Sequence, residues 1–155
     1  MRKTFLYAFF SILLTQCTKE EVGLTKTFII NTTNHRIRIL PFNGSNLDNI
    51  RIKLIEPLAT VEVYSASVKG KTIDPCYGTL LQPFDSVVVT YDDTIRIPYI
   101  KFNLVYSGTH RILFSSNRSI SNAANYIKAI TRETKTSLEG NFTYTFTEQD
   151  YLDAK

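Results

Sequence analysis

Short runs in which apolar and polar residues alternate, separated by turn-forming residues, constrain the fold of this chain more than any other feature. A period of two places the apolar side chains on one face of a β-strand. The runs that predict strands are 26–31, 35–40, 49–55, 59–64, 86–91, 94–98, 126–131 and 141–146. About eight short strands without a long helical pattern predict an all-β fold. We expect a two-layer antiparallel β-sandwich, for which an immunoglobulin-like arrangement is one candidate.

The alternation also predicts which side chains face the core. In the second run, Ile37 and Ile39 lie on one face of the strand, while Arg36 and Arg38 lie on the other. By the same reasoning, the side chains expected to point inward in later runs are Ile50, Ile52, Leu54, Val61, Val63, Phe142, Tyr144 and Phe146.

Turn and capping residues predict how some of these runs are connected. Asp92 and Asp93 separate two runs and predict a hairpin turn, with a weak calcium site as the alternative for this acidic pair. Pro98 predicts that the second arm lies at a sheet edge or ends there, because proline cannot donate a ladder hydrogen bond. Thr147 and the acid three residues later predict a short terminal helix over 148–154. Residues 66–84 are expected to form a long loop.

The N-terminal segment predicts export. Arg2 and Lys3 precede a ten-residue apolar run, Phe5 to Leu14. Because a helix needs about 20 residues to span a bilayer, this run is typical of a signal-peptide core. The residues Leu14-Thr15-Gln16-Cys17 resemble the lipobox of bacterial lipoproteins. That resemblance implies that Cys17 is lipidated, becomes the new N-terminus and attaches the protein to a membrane.

Two alternatives to lipidation remain open, an ordinary cleaved signal peptide and an uncleaved N-terminal anchor. No small-x-small cleavage site follows the apolar run within reach, which favours lipidation. The expected organisation is a signal peptide over 1–16, a lipidated N-terminus and tether over 17–25, and a single β-sandwich domain over 26–155.

The residues after Cys17 bear on location. Thr18-Lys19-Glu20-Glu21 resembles the export signal that follows the lipidated cysteine in some Bacteroidota surface lipoproteins. The segments 31–34 and 144–151 also resemble those of small lipoproteins of that group. The resemblance implies an outer-membrane location with display at the cell surface, and it carries no activity. If residues 18–21 are only a polar tether, the domain faces the periplasm.

The charge balance of the chain gives no reason to expect a nucleic-acid partner. Removal of residues 1–16 leaves 139 residues with 16 basic and 14 acidic side chains, a balance that does not predict a nucleic-acid partner.

If Cys17 is lipidated, Cys76 has no intramolecular disulfide partner. We interpret Cys76 as a buried, inert thiol, with an intermolecular bridge or a reactive thiol as alternatives.

The sequence carries no recognisable catalytic set. His35 and His110 belong to different segments, neither has a second ligand at zinc spacing, and we interpret both as solvated residues beside turns. Nucleophile motifs such as Gly-x-Ser-x-Gly are absent. We therefore expect a non-enzymatic binding or structural module that needs no cofactor and no metal.

A carbohydrate-binding accessory module is the alternative function. Aromatic rings in or near the two long loops offer faces on which sugars stack, and they are Tyr77, Phe84, Tyr99, Phe102 and Tyr106. The competing interpretation is that these rings seal the ends of the sandwich. The absence of tryptophan weakens the carbohydrate hypothesis, because tryptophan offers the largest stacking face.

Overall fold

A computed structural model describes residues 20–75, 81, 83–101 and 111–155 of the chain. Ten strands are found in these residues: β1 (Val22–Asn31), β2 (Ile37–Asn43), β3 (Asn46–Leu47), β4 (Lys53–Ile55), β5 (Thr60–Lys69), β6 (Ser86–Tyr91), β7 (Ile95–Ile100), β8 (Ile112–Leu113), β9 (Ile127–Glu133) and β10 (Ser137–Phe146). A 3-10 helix covers Ala123–Asn125, and helix α1 covers Glu148–Leu152.

The strands form two sheets packed as an all-β sandwich, as the sequence predicts. A four-stranded sheet has the order β5-β1-β10-β9, and a six-stranded sheet has the order β3-β2-β6-β7-β8 with β4 also paired to β2. Most pairs are antiparallel, but β1 pairs with β10, and β7 with β8, in parallel. Because β1 and β10 are parallel, both begin at one end of the sandwich, which we call the N-terminal end. Both finish at the opposite end, which we call the helix end because α1 follows β10 there.

The core lies between the two sheets, and alternation supplies it. Ile37 and Ile39 are fully buried on β2, and Arg38 between them is only partly buried. On β10, Phe142, Tyr144 and Phe146 are 5 % exposed or less, which confirms the predicted inward face. Full burial of an aliphatic or aromatic side chain contributes about 1.5–3 kcal/mol relative to an exposed one, so these strand faces hold the sheets together.

The prediction for residues 49–55 was wrong in length and in phase. Only Lys53–Ile55 forms a strand, Ile50 is 91 % exposed, and Leu54 is 45 % exposed. Ile55 is instead the buried residue, because β4 pairs with β2 in a register that places it opposite Ile37. Because residues 54 and 55 are both apolar, the sequence does not show which of them faces the core. The pairing of β4 with β2 determines it.

Several strands extend beyond the predicted runs, and for β1 and β5 the extension changes the predicted role of a segment. β1 begins at Val22 rather than at residue 26, so residues 22–25, expected to form part of the tether, belong to the strand. β5 continues to Lys69, into the segment expected to be loop. Residues 65–69 pair through the backbone with 22–26, and that pairing does not depend on an apolar pattern.

The predicted hairpin between β6 and β7 is confirmed. Asp92 and Asp93 have φ angles of 49° and 59°, a left-handed conformation that aspartate tolerates better than most residues. Pro98 lies within β7, and the pairing of β7 with β8 begins only at Tyr99. Within the described residues, Pro98 therefore has a strand neighbour on one side only, which agrees with its predicted edge position.

Two glycines let the chain close the N-terminal end of the core. A Cβ at Gly23 would lie 1.7 Å from the carbonyl oxygen of Thr72, and a Cβ at Gly140 would lie 2.3 Å from Cδ1 of Ile73. Ile73 is 7 % exposed and belongs to the core. The segment after β5 can pack against β1 and β10 only because no side chain stands at these positions.

Candidate functional site

The loop aromatic residues proposed to bind sugars divide into two groups. Tyr77, Phe102 and Tyr106 lie outside the described residues. Phe84 is 3 % exposed and Tyr99 is fully buried, so both are core residues and neither ring presents a face to a ligand. Burial raises the pKa of the Tyr99 hydroxyl well above its usual range, so this side chain stays neutral.

Cys17, Lys19, Cys76 and His110 also lie outside the described residues, which begin at Glu20. Glu20 forms an ion pair with Lys69 at 2.9 Å between Oε1 and Nζ. The carbonyl of the next residue accepts a hydrogen bond from the N–H of Gly70 at 2.8 Å. The chain thus enters β1 alongside the last residues of β5.

A cleft of about 400 Å³ lies on the outer face of the four-stranded sheet. All four strands line it: Leu24 and Lys26 on β1, Ser65 and Ser67 on β5, Glu139 and Asn141 on β10, and Thr131 on β9. Their outward position follows from alternation, since Thr25 and Thr27 on either side of Lys26 are buried. The outer face of ordinary strands, with both polar and aliphatic groups, therefore becomes the wall of a concave site, which we call the sheet cleft.

A β-bulge in β9 brings Thr131 into the sheet cleft. Glu139 is paired with Arg132 and Gly140 with Ile130, so Thr131 is an extra residue in the strand. The extra residue puts two consecutive side chains of β9 on the outer face, where Thr131 lines the cleft and Arg132 forms an ion pair with Glu139. A second bulge interrupts the pairing of β1 with β5 between Thr27 and Phe28. Bulges increase twist and bend the strand, so both irregularities act on the sheet whose outer face carries the cleft.

The two charged residues of the sheet cleft have partners of opposite sign. Nζ of Lys26 lies 3.2 Å from a carboxylate oxygen of Glu62, and Glu139 lies 3.6 Å from the guanidinium of Arg132. All four groups are partly exposed, so these pairs contribute little to stability. Their effect on the cleft is to leave it without a strong field of either sign.

Another cluster of polar side chains lies at the helix end, around His35. Nδ1 of His35 lies 2.6 Å from Asp92, and Nε2 lies 3.7 Å from Glu148. The imidazole stacks on the ring of Tyr151 with the centroids 3.5 Å apart. Its side chain is only 22 % exposed, so the interpretation of His35 as a solvated turn residue was wrong. The ring joins the β6–β7 turn to α1.

The acidic pair Asp92–Asp93 is engaged by cationic and N–H groups. Asp92 accepts a hydrogen bond from the backbone N–H of Arg36 at 2.8 Å in addition to its contact with His35. These two hydrogen bonds, chiefly that of His35, hold the pKa of Asp92 below its usual value. Asp93 lies 2.6 Å from Arg36 and 3.3 Å from Arg38. These contacts support the turn interpretation of the pair over a calcium site.

A second ion-pair group at the helix end holds α1 in place. Arg118 contacts Asp150 at 2.6 Å and also pairs with Asp153. These carboxylates raise the pKa of Arg118, and Arg118 lowers the pKa of Asp153. Asp150 also accepts hydrogen bonds from the backbone N–H and the hydroxyl of Thr147, both at 2.8 Å, as the predicted helix start requires. Arg118 was not identified from the sequence, because this residue lies in an irregular segment that is distant from α1 along the chain.

Comparisons of the chain with protein-family models, with curated proteins and with solved structures found no match. Among the described helices, none is long and apolar enough to cross a membrane. The described His, Cys, Asp and Glu side chains form no group of three or more that could hold a metal ion. The function of the chain is therefore inferred from its own residues.

Proposed function

We propose that the protein is an extracytoplasmic lipoprotein, attached to a membrane through Cys17, whose β-sandwich acts as a non-enzymatic binding or structural module. The observation that carries this proposal is the export segment, in which Arg2, Lys3 and the apolar run lead to Leu14-Thr15-Gln16-Cys17. Lipid chains contribute about 0.8 kcal/mol per buried methylene, so more than one chain gives a stable anchor.

The start of the folded domain is compatible with such an anchor. Val22, the first residue of β1, follows Cys17 by five residues. An extended chain spans at most about 3.3–3.6 Å per residue, so the N-terminal end of the sandwich would lie within about 18 Å of the lipidated residue. A lipid on Cys17 would therefore hold the domain close to the membrane surface, with the helix end farther away.

We further propose an outer-membrane location with display at the cell surface, on the basis of Lys19-Glu20-Glu21. The exposed ion pair of Glu20 with Lys69 contributes little to stability, so substitution of this segment should leave the sandwich folded. Replacement of residues 19–21 by alanine should reduce protease accessibility on intact cells while lipidation is retained. Unchanged accessibility would indicate that the segment is a tether.

The non-enzymatic part of the proposal rests on how the described polar groups are engaged. Both ring nitrogens of His35 face carboxylates, those of Asp92 and Glu148. In this arrangement His35 links two structural elements instead of serving a nucleophile as a general base. A binding role for loop aromatic residues would rest on Tyr77, Phe102 and Tyr106, because Phe84 and Tyr99 lie in the core.

Labelled-palmitate incorporation tests the anchor. Cells producing the full chain should label it, and Cys17→Ala should abolish labelling. Cys76→Ala is the matched control, because it removes the other cysteine of the chain and should label like the wild type. Equal labelling of Cys17→Ala and the wild type would refute the anchor.

A further inference from the structure

We infer that the sheet cleft is a binding site for an uncharged, hydroxyl-rich ligand, which we identify as a neutral oligosaccharide. The inference deepens the proposed function, because it gives the binding module a ligand class and a location. It rests on that proposed function for its biological setting, but its physical basis does not require the lipid.

The cleft has the dimensions and the support of a binding site. Its volume of about 400 Å³ falls within the range of 300–1,000 Å³ that is usual for ligand pockets. Its walls come from four hydrogen-bonded strands rather than from loops, so the side chains are held on a rigid platform. A ligand would lose little affinity to ordering of the protein.

The polar groups of the cleft are free to bind a ligand. Within the described part of the chain, the side chains of Ser65, Ser67, Thr131 and Asn141 make no hydrogen bond. Asn122 and Asn125 behave differently: the amide of each donates to two carbonyls. Four unengaged hydroxyl and amide groups on one concave surface form a set that a ligand can satisfy.

The chemistry of these groups matches sugar hydroxyls. Serine, threonine and asparagine side chains each offer both a donor and an acceptor, as every hydroxyl of a sugar does. Lys26 adds donors and Glu139 adds acceptors at the two sides of the same cleft. The exposed part of Leu24, 38 % of the residue, provides an apolar contact for the C–H face of a ring.

The charges of the cleft argue against other ligands. A phosphate or another anion would meet Glu139 as well as Lys26, so repulsion from one side of the cleft would offset attraction to the other. A cationic ligand would meet Lys26 and would compete with Arg132 for Glu139. An apolar ligand would cover the unengaged hydroxyl and amide groups without satisfying them, which is costly. A neutral polyol avoids all three penalties.

The experiment is a glycan array followed by titration calorimetry with the mature chain and the neutral oligosaccharides that score on the array. Thr131→Ala and Asn141→Ala should each weaken binding by about three- to tenfold, the effect expected from loss of one hydrogen bond. Thr145→Ala is the matched control for Thr131→Ala, because Thr145 lies on the outer face of β10 outside the cleft and its side chain makes no hydrogen bond in the described structure. It should bind like the wild type.

Several results would overturn the inference. These are no saturable binding of any neutral glycan, equal weakening by Thr145→Ala, and binding of extended peptides in place of glycans. Binding that is lost in Tyr77→Ala and Tyr106→Ala but retained in the cleft variants would assign the site to loop aromatic residues. Failure of palmitate labelling with intact glycan binding would refute only the anchor. Intact palmitate labelling without glycan binding would refute only the proposed ligand.

Discussion

Two asparagines in the four-stranded sheet have opposite surroundings. At the helix end, the amide of Asn31 donates to the carbonyls of His35 and Glu56 at 2.7 and 3.0 Å. Its oxygen accepts from the N–H and the hydroxyl of Thr33 at 3.0 and 2.8 Å. In the sheet cleft, the side chain of Asn141 makes no hydrogen bond to any described residue.

The same contrast holds for the regions around these two residues. At the helix end, His35, Asp92, Arg118 and Asp150 all bind one another or the backbone, so that polar network holds loops and α1 against the sandwich. In the sheet cleft, strand pairing holds the hydroxyl and amide groups in position, and these side chains make no hydrogen bond to any residue that the structure describes. Buried polar groups that bind one another hold the fold together, whereas the exposed and partly exposed polar groups of the cleft are open to water and to a ligand.

The largest effect is expected for Asn31→Ala. It removes four hydrogen bonds in a region where Asn31 is 1 % exposed and leaves the N–H of Thr33 without its acceptor. The carbonyls of His35 and Glu56 each keep one other donor. Denaturant unfolding should show a loss of about 3–4 kcal/mol in the free energy of unfolding. Asn141→Ala, its matched control, should change that free energy by less than about 0.5 kcal/mol. Similar losses of unfolding free energy in the two variants would contradict the contrast between the helix end and the sheet cleft.

Asp150→Ala should have the next largest effect. The carboxylate of Asp150 is 11 % exposed and binds Arg118 and both polar groups of Thr147, so its removal frees the start of α1 and leaves Arg118 with Asp153 alone. We expect a loss of about 2–3 kcal/mol in the free energy of unfolding. Glu148→Ala is the control on the same helix, since Glu148 is half-exposed and its one ion pair among the described residues is with His35, at 3.7 Å. A larger loss in Glu148→Ala would contradict this account of the helix end.

Much of the fold could be predicted from sequence wherever a strand has one buried and one exposed face. On β2, for example, the sequence predicted that Ile37 and Ile39 face the core and Arg38 faces outward. The aromatic residues of β10 follow the same rule. Alternation could not give the pairing partners, so it missed residues 65–69 of β5 and the phase of β4. The parallel pairing of β1 with β10 joins segments more than a hundred residues apart, and no local signal encodes such a contact.

The candidate site was harder to predict than the fold, for two physical reasons. A side chain in a loop can point into the core, as Phe84 does, and composition does not show which way it points. Thr131 and Asn141 look in sequence like ordinary outward-facing strand residues. They become part of a site only because a bulge and a four-strand arrangement bring them to one concave surface.

The smallest effect concerns Asp92, through which pH should act on the helix end. Its pKa is lowered in the folded state by the hydrogen bonds from His35 and from the N–H of Arg36. A carboxyl with a lowered pKa stabilises the fold above the unfolded-state pKa of about 3.9, and that contribution is lost as pH falls through the folded-state value. Because the side chain is 48 % exposed, solvent screening should limit the contribution to less than about 1 kcal/mol.

Asp92→Asn isolates this contribution, because asparagine also tolerates the positive φ of 49° at this position. Free energies of unfolding measured between about pH 5 and pH 3 should depend less on pH in the variant than in the wild type. The two proteins should differ most at the upper end of that range, where the wild-type carboxylate is ionised. An unchanged pH dependence would show that His35 and Asp92 are only neighbours, and that the helix end is held mainly by Asn31 and Asp150.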